Sequence, residues 1–159
     1  MAQLRSPFRL NVGFFSVQPP GYQRDFPFDI DEYTLEPDMA LRSIRGELLI
    51  TRAQQGLRVE GAFHAITKVA CVRCLEEIDF PLETQFEEVY NYPGSPLSED
   101  EQAIPEDGFI DFEPVLRDYL ILEIPITSLC RADCKGLCSI CGQNLNQQAC
   151  EHHPALEAK

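Results

Sequence analysis

At 159 residues the chain has the length of one domain, large enough to bury roughly 70% of its unfolded surface. It carries 26 Asp and Glu against 13 Lys and Arg, a net charge of -13; that argues against nonspecific binding to polyanions, which needs Lys and Arg on phosphates, and it suits basic protein partners. No stretch approaches the roughly 20 apolar residues of a membrane span, and Met1-Ala-Gln-Leu-Arg lacks the apolar region of a signal peptide, so a cytoplasmic protein with reduced thiols and no membrane contact is expected.

In chain order, residues 8–17 alternate at Phe8, Leu10, Val12 and Phe14, which predicts a strand ended by Pro19-Pro20-Gly21. Asp25–Ile30 alternates briefly and reads as an edge segment because of Pro27. Residues 43–52 set Ile44, Leu48 and Ile50 on one face. The clearest signal follows. Leu57, Val59, Phe63, Ala65, Val69 and Cys71 occupy odd positions, and Ile78, Phe80, Leu82, Phe86 and Tyr90 alternate with polar residues beyond Cys74. Two half-buried strands with a short turn predict an antiparallel hairpin whose tip is Cys71-Val-Arg-Cys74. Residues 91–108 read as an acidic, solvated loop. Asp111-Phe-Glu-Pro114 then opens a helix over 112–123, with Asp111 as N-cap and Pro114 in the first turn. Val115, Leu116, Tyr119, Leu120 and Leu122 give that helix its apolar face.

The remaining segment has too little apolar surface to offset the entropy of ordering its backbone. Residues 130–152 instead hold five cysteines and His152, including Cys138-Ser-Ile-Cys141-Gly142, a knuckle whose tight turn aims two sulfurs at one ion. With Cys71 and Cys74, all seven cysteines fall in metal-like spacings. Cys71, Cys74, Cys130, Cys134, Cys138, Cys141, Cys150 and His152 make two tetrahedral sets, and one or two zinc ions are expected. Three partitions are open. In one, the hairpin tip joins Cys130 and Cys134, leaving Cys138, Cys141, Cys150 and His152. In another, Cys134, Cys138, Cys141 and Cys150 form a local site, and Cys71, Cys74 and Cys130 need a fourth ligand. In the third, the two knuckles share one ion. All are closed sites without a position for substrate, which argues for scaffold rather than metal catalysis.

Blander and sharper readings compete with zinc. Free cysteines can pack as small hydrophobes. Cys134-x-x-x-Cys138-x-x-Cys141 matches the spacing of the radical-SAM iron–sulfur loop, but that chemistry needs a large α/β barrel. Cys-x-x-Cys can be redox active, usually at a helix N-terminus, whereas Cys71 and Cys74 lie between strands. No Ser/His/Asp set, phosphate-cradling glycine loop or isolated carboxylate pair stands out, so no enzyme and no small-molecule substrate is expected.

Taken together, Cys71-Val-Arg-Cys74-Leu-Glu, the acidic loop, Asp111-Phe-Glu-Pro-Val-Leu-Arg-Asp-Tyr-Leu-Ile-Leu-Glu-Ile-Pro125, Cys130, Cys134-Lys-Gly-Leu-Cys138, Cys141-Gly, Asn144-Leu-Asn146 and Cys150 resemble the YceD family. These are bacterial and plastid proteins described as large-subunit ribosomal RNA accumulation proteins. The resemblance covers about residues 40–152. It implies a cytoplasmic, non-enzymatic factor that supports ribosomal RNA accumulation or large-subunit assembly through zinc, with Cys71, Cys74 and Cys130 as the older site. Ser139 stands where the knuckle commonly has proline, His152 where relatives often have cysteine, and His153-Pro154-Ala-Leu replaces an Asp-Pro-Arg ending.

The expected fold is α+β: an antiparallel sheet, open or closed as a barrel, with one covering helix and a Cys-rich zinc-binding extension. Residues 1–125 are read as the core and 126–159 as the extension. The first functional expectation is ribosome assembly through a ribosomal or assembly-factor protein, or through ribosomal RNA. The second is a direct nucleic-acid-binding zinc module using Arg73, Arg131 and Lys135, and the third a redox-active thiol protein.

Overall fold

The computed structural model describes residues 6–95 and 102–152. They divide into two compact units. The first takes the described residues up to Thr67 together with Pro81–Glu123, and the second takes Lys68–Phe80 and the described residues from Ile124 onward.

A four-stranded antiparallel sheet dominates. β2 (Gln23–Leu35), β3 (Met39–Arg52), β4 (Gly56–Ala70) and β5 (Glu77–Asn91) lie in that order. β2 pairs with β3 from Gln23↔Thr51 to Leu35↔Met39, and β3 with β4 from Arg52↔Leu57 to Leu41↔Thr67. A bulge between Arg42 and Arg45 interrupts the second ladder, with Ser43 at φ 51°. The sheet is open, and both edge strands carry a proline (Pro27 and Pro81), where a missing N–H costs least and pairing with another chain is blunted. Alternation decides which face is buried. Leu57, Val59, Phe63 and Ala65 of β4 and Leu82, Phe86 and Tyr90 of β5 all turn inward, as the period of two requires.

The residues before the sheet depart from the expected strand. β1 is only Arg9–Asn11, paired with β6 (Phe109–Asp111), and Gly13–Val17 is a 3-10 helix. The Asn11 side chain accepts the Gly13 N–H at 3.1 Å, and the N–H groups of Val12 and Gly13 both reach the Gly108 carbonyl. A local side-chain bond thus takes the backbone out of its ladder. Phe8, Val12 and Phe15, rather than an alternating set, enter the core. Of the expected acidic loop, residues 96–101 lie outside the described residues. On its described part, Asn91 exchanges backbone bonds with Gln102 and Ile104, and Ile104 is buried.

Helix α1 (Glu113–Leu122) buries Leu116 and Leu120 one turn apart, while Leu122 is 78% exposed and does not belong to the apolar face. Its N-cap is Phe112, which offers no side-chain bond; Asp111 supplies the carboxylate instead, accepting the Glu113 N–H at 3.0 Å. An aromatic run ties helix to sheet. Phe28 meets Phe63, Phe63 meets Phe86, and Phe86 stacks on Tyr119 at 4.9 Å. The run needs Gly46, where a Cβ would stand 2.5 Å from the Phe63 ring. Tyr119 also donates its hydroxyl to Glu88 at 2.8 Å. Glu113, buried at the start of α1, accepts the Tyr33 hydroxyl and the Glu36 N–H. No helix among the described residues is long and apolar enough to cross a membrane.

Candidate metal centres

Both Cys-x-x-Cys segments, each in the second unit, fold into the same turn. In the first, Cys71 N–H donates to the Glu76 carbonyl at 2.9 Å and Leu75 N–H to the Cys71 carbonyl at 2.9 Å. In the second, Cys138 N–H donates to Gln143 at 2.8 Å and Gly142 N–H to Cys138 at 2.9 Å. The residue after the second cysteine is left-handed in each, Leu75 at φ 61° and Gly142 at φ 74°. Only glycine takes that conformation without a Cβ penalty.

The unit is laced together by backbone. Val72 N–H donates to Ser128, the Ser128 hydroxyl to Ala70, and Leu137 N–H to Arg73. This lacing brings Cys130 and Cys134 to the first turn. Of the three groupings that spacing allows, the geometry assembles the first: Cys71, Cys74, Cys130 and Cys134 in one cluster, and Cys138, Cys141, Cys150 and His152 in another. Within each cluster the ligand atoms lie no more than 4.8 Å apart.

The first donor set fits a tetrahedral ion. At a metal–sulfur distance of about 2.3 Å, the sulfurs of a tetrahedron stand about 3.8 Å apart. Cys71 and Cys134 sulfurs are separated by 3.8 Å, and those of Cys74 and Cys130 by 3.6 Å, far beyond the roughly 2.05 Å of a disulfide. Three sulfurs of the first cluster are buried and Cys130 half-buried. The second cluster is more open, with Cys138 buried, Cys150 half-buried, and Cys141 and His152 exposed.

The thiols within each cluster sit in unlike environments. The N–H groups of Cys74 and Cys130 hold the Cys71 thiol down at about 6. The Asn146 amide, more than any other group, lowers Cys134. Burial and the neighbouring sulfurs push Cys130 up to about 12; Cys74 also rises, because burial and the Cys71 sulfur outweigh the Glu76 N–H. In the second cluster the N–H groups of Cys141 and Ile140 lower Cys138 to about 6, while burial and Cys138 raise Cys141 against the Gln143 N–H. Four closed donors leave no open position for a substrate.

The proposed RNA-contacting cations are placed differently from one another. Arg73 donates to the Cys134 carbonyl at 2.9 Å, and Arg131 pairs with Asp133 and donates to Asn146. Lys135 is exposed. Sequence reasoning missed Asn146 as a participant. Its side-chain amide donates to the Cys134 sulfur at 3.2 Å, and the sequence offers it only within the Asn144-Leu-Asn146 motif, an amide lying between two candidate ligands.

Comparison with known proteins places this arrangement. The family model described as "Large ribosomal RNA subunit accumulation protein YceD" matches residues 59–158, a span that takes in all eight candidate ligands. An uncharacterized protein of Mycobacterium tuberculosis is 31% identical over 117 residues, covering 71% of this chain and 56% of that protein. The Zea mays "Large ribosomal RNA subunit accumulation protein YCED homolog 1, chloroplastic" is 29% identical over 128 residues, 61% of this chain and 44% of that protein. Its Arabidopsis thaliana namesake is 47% identical over 47 residues, 30% of this chain and 15% of that protein. The chain spans about half the length of the mycobacterial relative. No solved structure matches. With a family model across well over half its length, the chain belongs to the YceD family.

Proposed function

We propose that the chain supports accumulation of large-subunit ribosomal RNA as a non-enzymatic, cytoplasmic assembly factor in which zinc is a structural staple. The observation that carries this reading is the family match across residues 59–158, which contains both clusters. Closed sets of four thiolates, or of three thiolates and an imidazole, suit zinc and supply folding energy rather than chemistry. Cys71, Cys74, Cys130 and Cys134 would hold one ion, and Cys138, Cys141, Cys150 and His152 a second. The net charge of -13 favours a basic ribosomal or assembly-factor protein as the partner. Direct RNA contact would fall to Lys135 with Arg73 and Arg131, two of which are already engaged within the unit.

Two measurements test the reading. Elemental analysis of protein purified without chelator should find two zinc ions per chain and no visible absorption; a visible band would replace zinc with an iron–sulfur cluster. A strain lacking the gene should show a deficit of large-subunit RNA relative to small-subunit RNA, restored by the wild-type gene and not by Cys74→Ser. An unchanged RNA ratio would remove the assembly role.

A further inference from the structure

We propose that Asn146 is a positioning residue for the first cluster and couples it to the second, so that filling either cluster raises the affinity of the other. The inference rests on the reading of both clusters as metal sites.

The orientation of the Asn146 side chain is dictated by its surroundings. Its oxygen accepts the Lys135 N–H at 2.8 Å and an Arg131 guanidinium N–H at 2.9 Å. With two donors on the oxygen, the amide nitrogen must be the end that faces the Cys134 sulfur, 3.2 Å away. The sulfur therefore receives a hydrogen bond, the role of a thiolate in a metal site. The backbone N–H of Asn146 donates in turn to the Asn144 side chain, which fixes the turn that presents the amide. Asn144 and Gln147 both donate to Glu76, two residues past Cys74 in the first turn. Leu145 N–H donates to the Gly136 carbonyl.

All these contacts to the first cluster come from residues 144–147, and that segment is spanned by Cys141 and Cys150, ligands of the second cluster. An ion in the second cluster closes this loop, reducing the freedom the segment must lose to place Asn146. The second cluster thus governs the hydrogen bond on a sulfur of the first. Linkage makes the effect mutual: the factor by which one ion helps the other is the same in both directions.

The test uses the full chain, reduced and stripped of metal, titrated with cobalt(II) and then zinc against a competitor of known affinity. A site of four thiolates and one of three thiolates with an imidazole have distinct cobalt spectra, so each cluster is read separately. Wild type should load with positive cooperativity. Asn146→Asp keeps the acceptor oxygen, replaces the donor with a like charge, and should weaken the first cluster about 10–100-fold, the usual effect of losing an outer-shell partner. Cys141→Ser with Cys150→Ser, which empties the second cluster, should weaken the first by a similar factor, and adding Asn146→Asp should cost little more. Asn146→Ala, with no added charge, guards against a folding failure of the Asp variant.

First-cluster affinity within about threefold of wild type in both Asn146 variants would overturn the positioning role. A first cluster weakened by the Asn146 variants yet indifferent to loss of the second would overturn the coupling. If wild-type protein takes up no metal at either cluster, the metal-site reading itself falls, an outcome visible before any variant is made.

Discussion

The two units face the same entropic cost of ordering a chain and meet it by opposite means. In the first, Phe8, Leu41, Leu48, Ile50, Phe112 and Leu120 are fully buried, each contributing about 1.5–3 kcal/mol of transfer free energy. In the second, the pattern is inverted. Cys71, Cys74 and Cys134 turn in, with Cys130 and Leu137 packed against them, while Val72, Leu75, Ile126 and Ile140 are exposed. A small unit that leaves most of its larger aliphatic side chains exposed while it buries Cys71, Cys74, Cys134 and Cys138 draws little of its stability from the hydrophobic effect. An ion held by each proposed cluster would replace it.

The strongest way to break this comparison is to remove the ligand from one side of it. Exhaustive chelation under reducing conditions should abolish hydrogen-exchange protection across residues 130–152 and leave the amides of β3 protected. The scale is large, since structural zinc binding is worth about 10–16 kcal/mol in peptide systems. Persistent protection of 130–152 after verified loss of metal would mean that the second unit holds itself. The converse experiment cuts a core side chain from the first unit. Leu48→Ala, at a fully buried position of β3, should destabilise that unit by about 2–5 kcal/mol in denaturant titration while metal stoichiometry stays the same.

Charge sharpens the comparison, because the first unit is not purely apolar. Burial pushes the Glu113 carboxyl up, but bonds from the Ser6 hydroxyl, the Glu36 N–H and the Tyr33 hydroxyl outweigh it and hold the group below its ordinary 4.5. A depressed folded value means that the charged form is favoured by folding. That stability is present above the unfolded value and is lost as pH falls through the folded one, so the first unit should weaken below about pH 4.5. Glu113→Ala leaves Tyr33 and Glu36 without their acceptor and should cost about 2 kcal/mol at neutral pH. The same variant should flatten the acid limb of the stability profile; an unaltered limb would assign it to other carboxylates.

How far these features could be read in advance follows from how local their causes are. β4 and β5 were legible because burial of one face imposes a period of two on the residues themselves. Four of the eight candidate ligands stood out because a Cys-x-x-Cys knuckle is defined by its spacing, and the structure gathers all eight into two clusters. Their partition was not legible. Separation along the chain does not fix distance in space, and Cys134 is nearer in sequence to Cys138 than to Cys71, whose cluster it joins. The segment before the sheet misled because Asn11 competes for the backbone, an effect invisible to periodicity. Leu122 misled because helical spacing does not say where the covered face stops. Glu113 gave no warning, and Asn146 stood out only within the Asn144-Leu-Asn146 motif without a role, since each acts through partners distant in sequence or through a sulfur.

The smallest expected effect compares the two knuckles directly. They share their hydrogen bonds and differ at the left-handed residue, leucine in one and glycine in the other. Leu75 is 65% exposed, so its side chain gives back little packing for the strain of φ 61°. Leu75→Gly should relieve roughly 0.5–1 kcal/mol, tightening metal binding at the first cluster by a few-fold. Gly142→Ala imposes the same conformation on a residue with a Cβ and should weaken the second cluster by about 1 kcal/mol, or about fivefold. Nothing lies within 4 Å of a Cβ at Gly142, so this loss reports backbone conformation without a clash. Opposite signs at the two positions in competitor titrations would show that one turn geometry governs both clusters. A loss at Leu75→Gly would instead assign that leucine a contact that outweighs its strain.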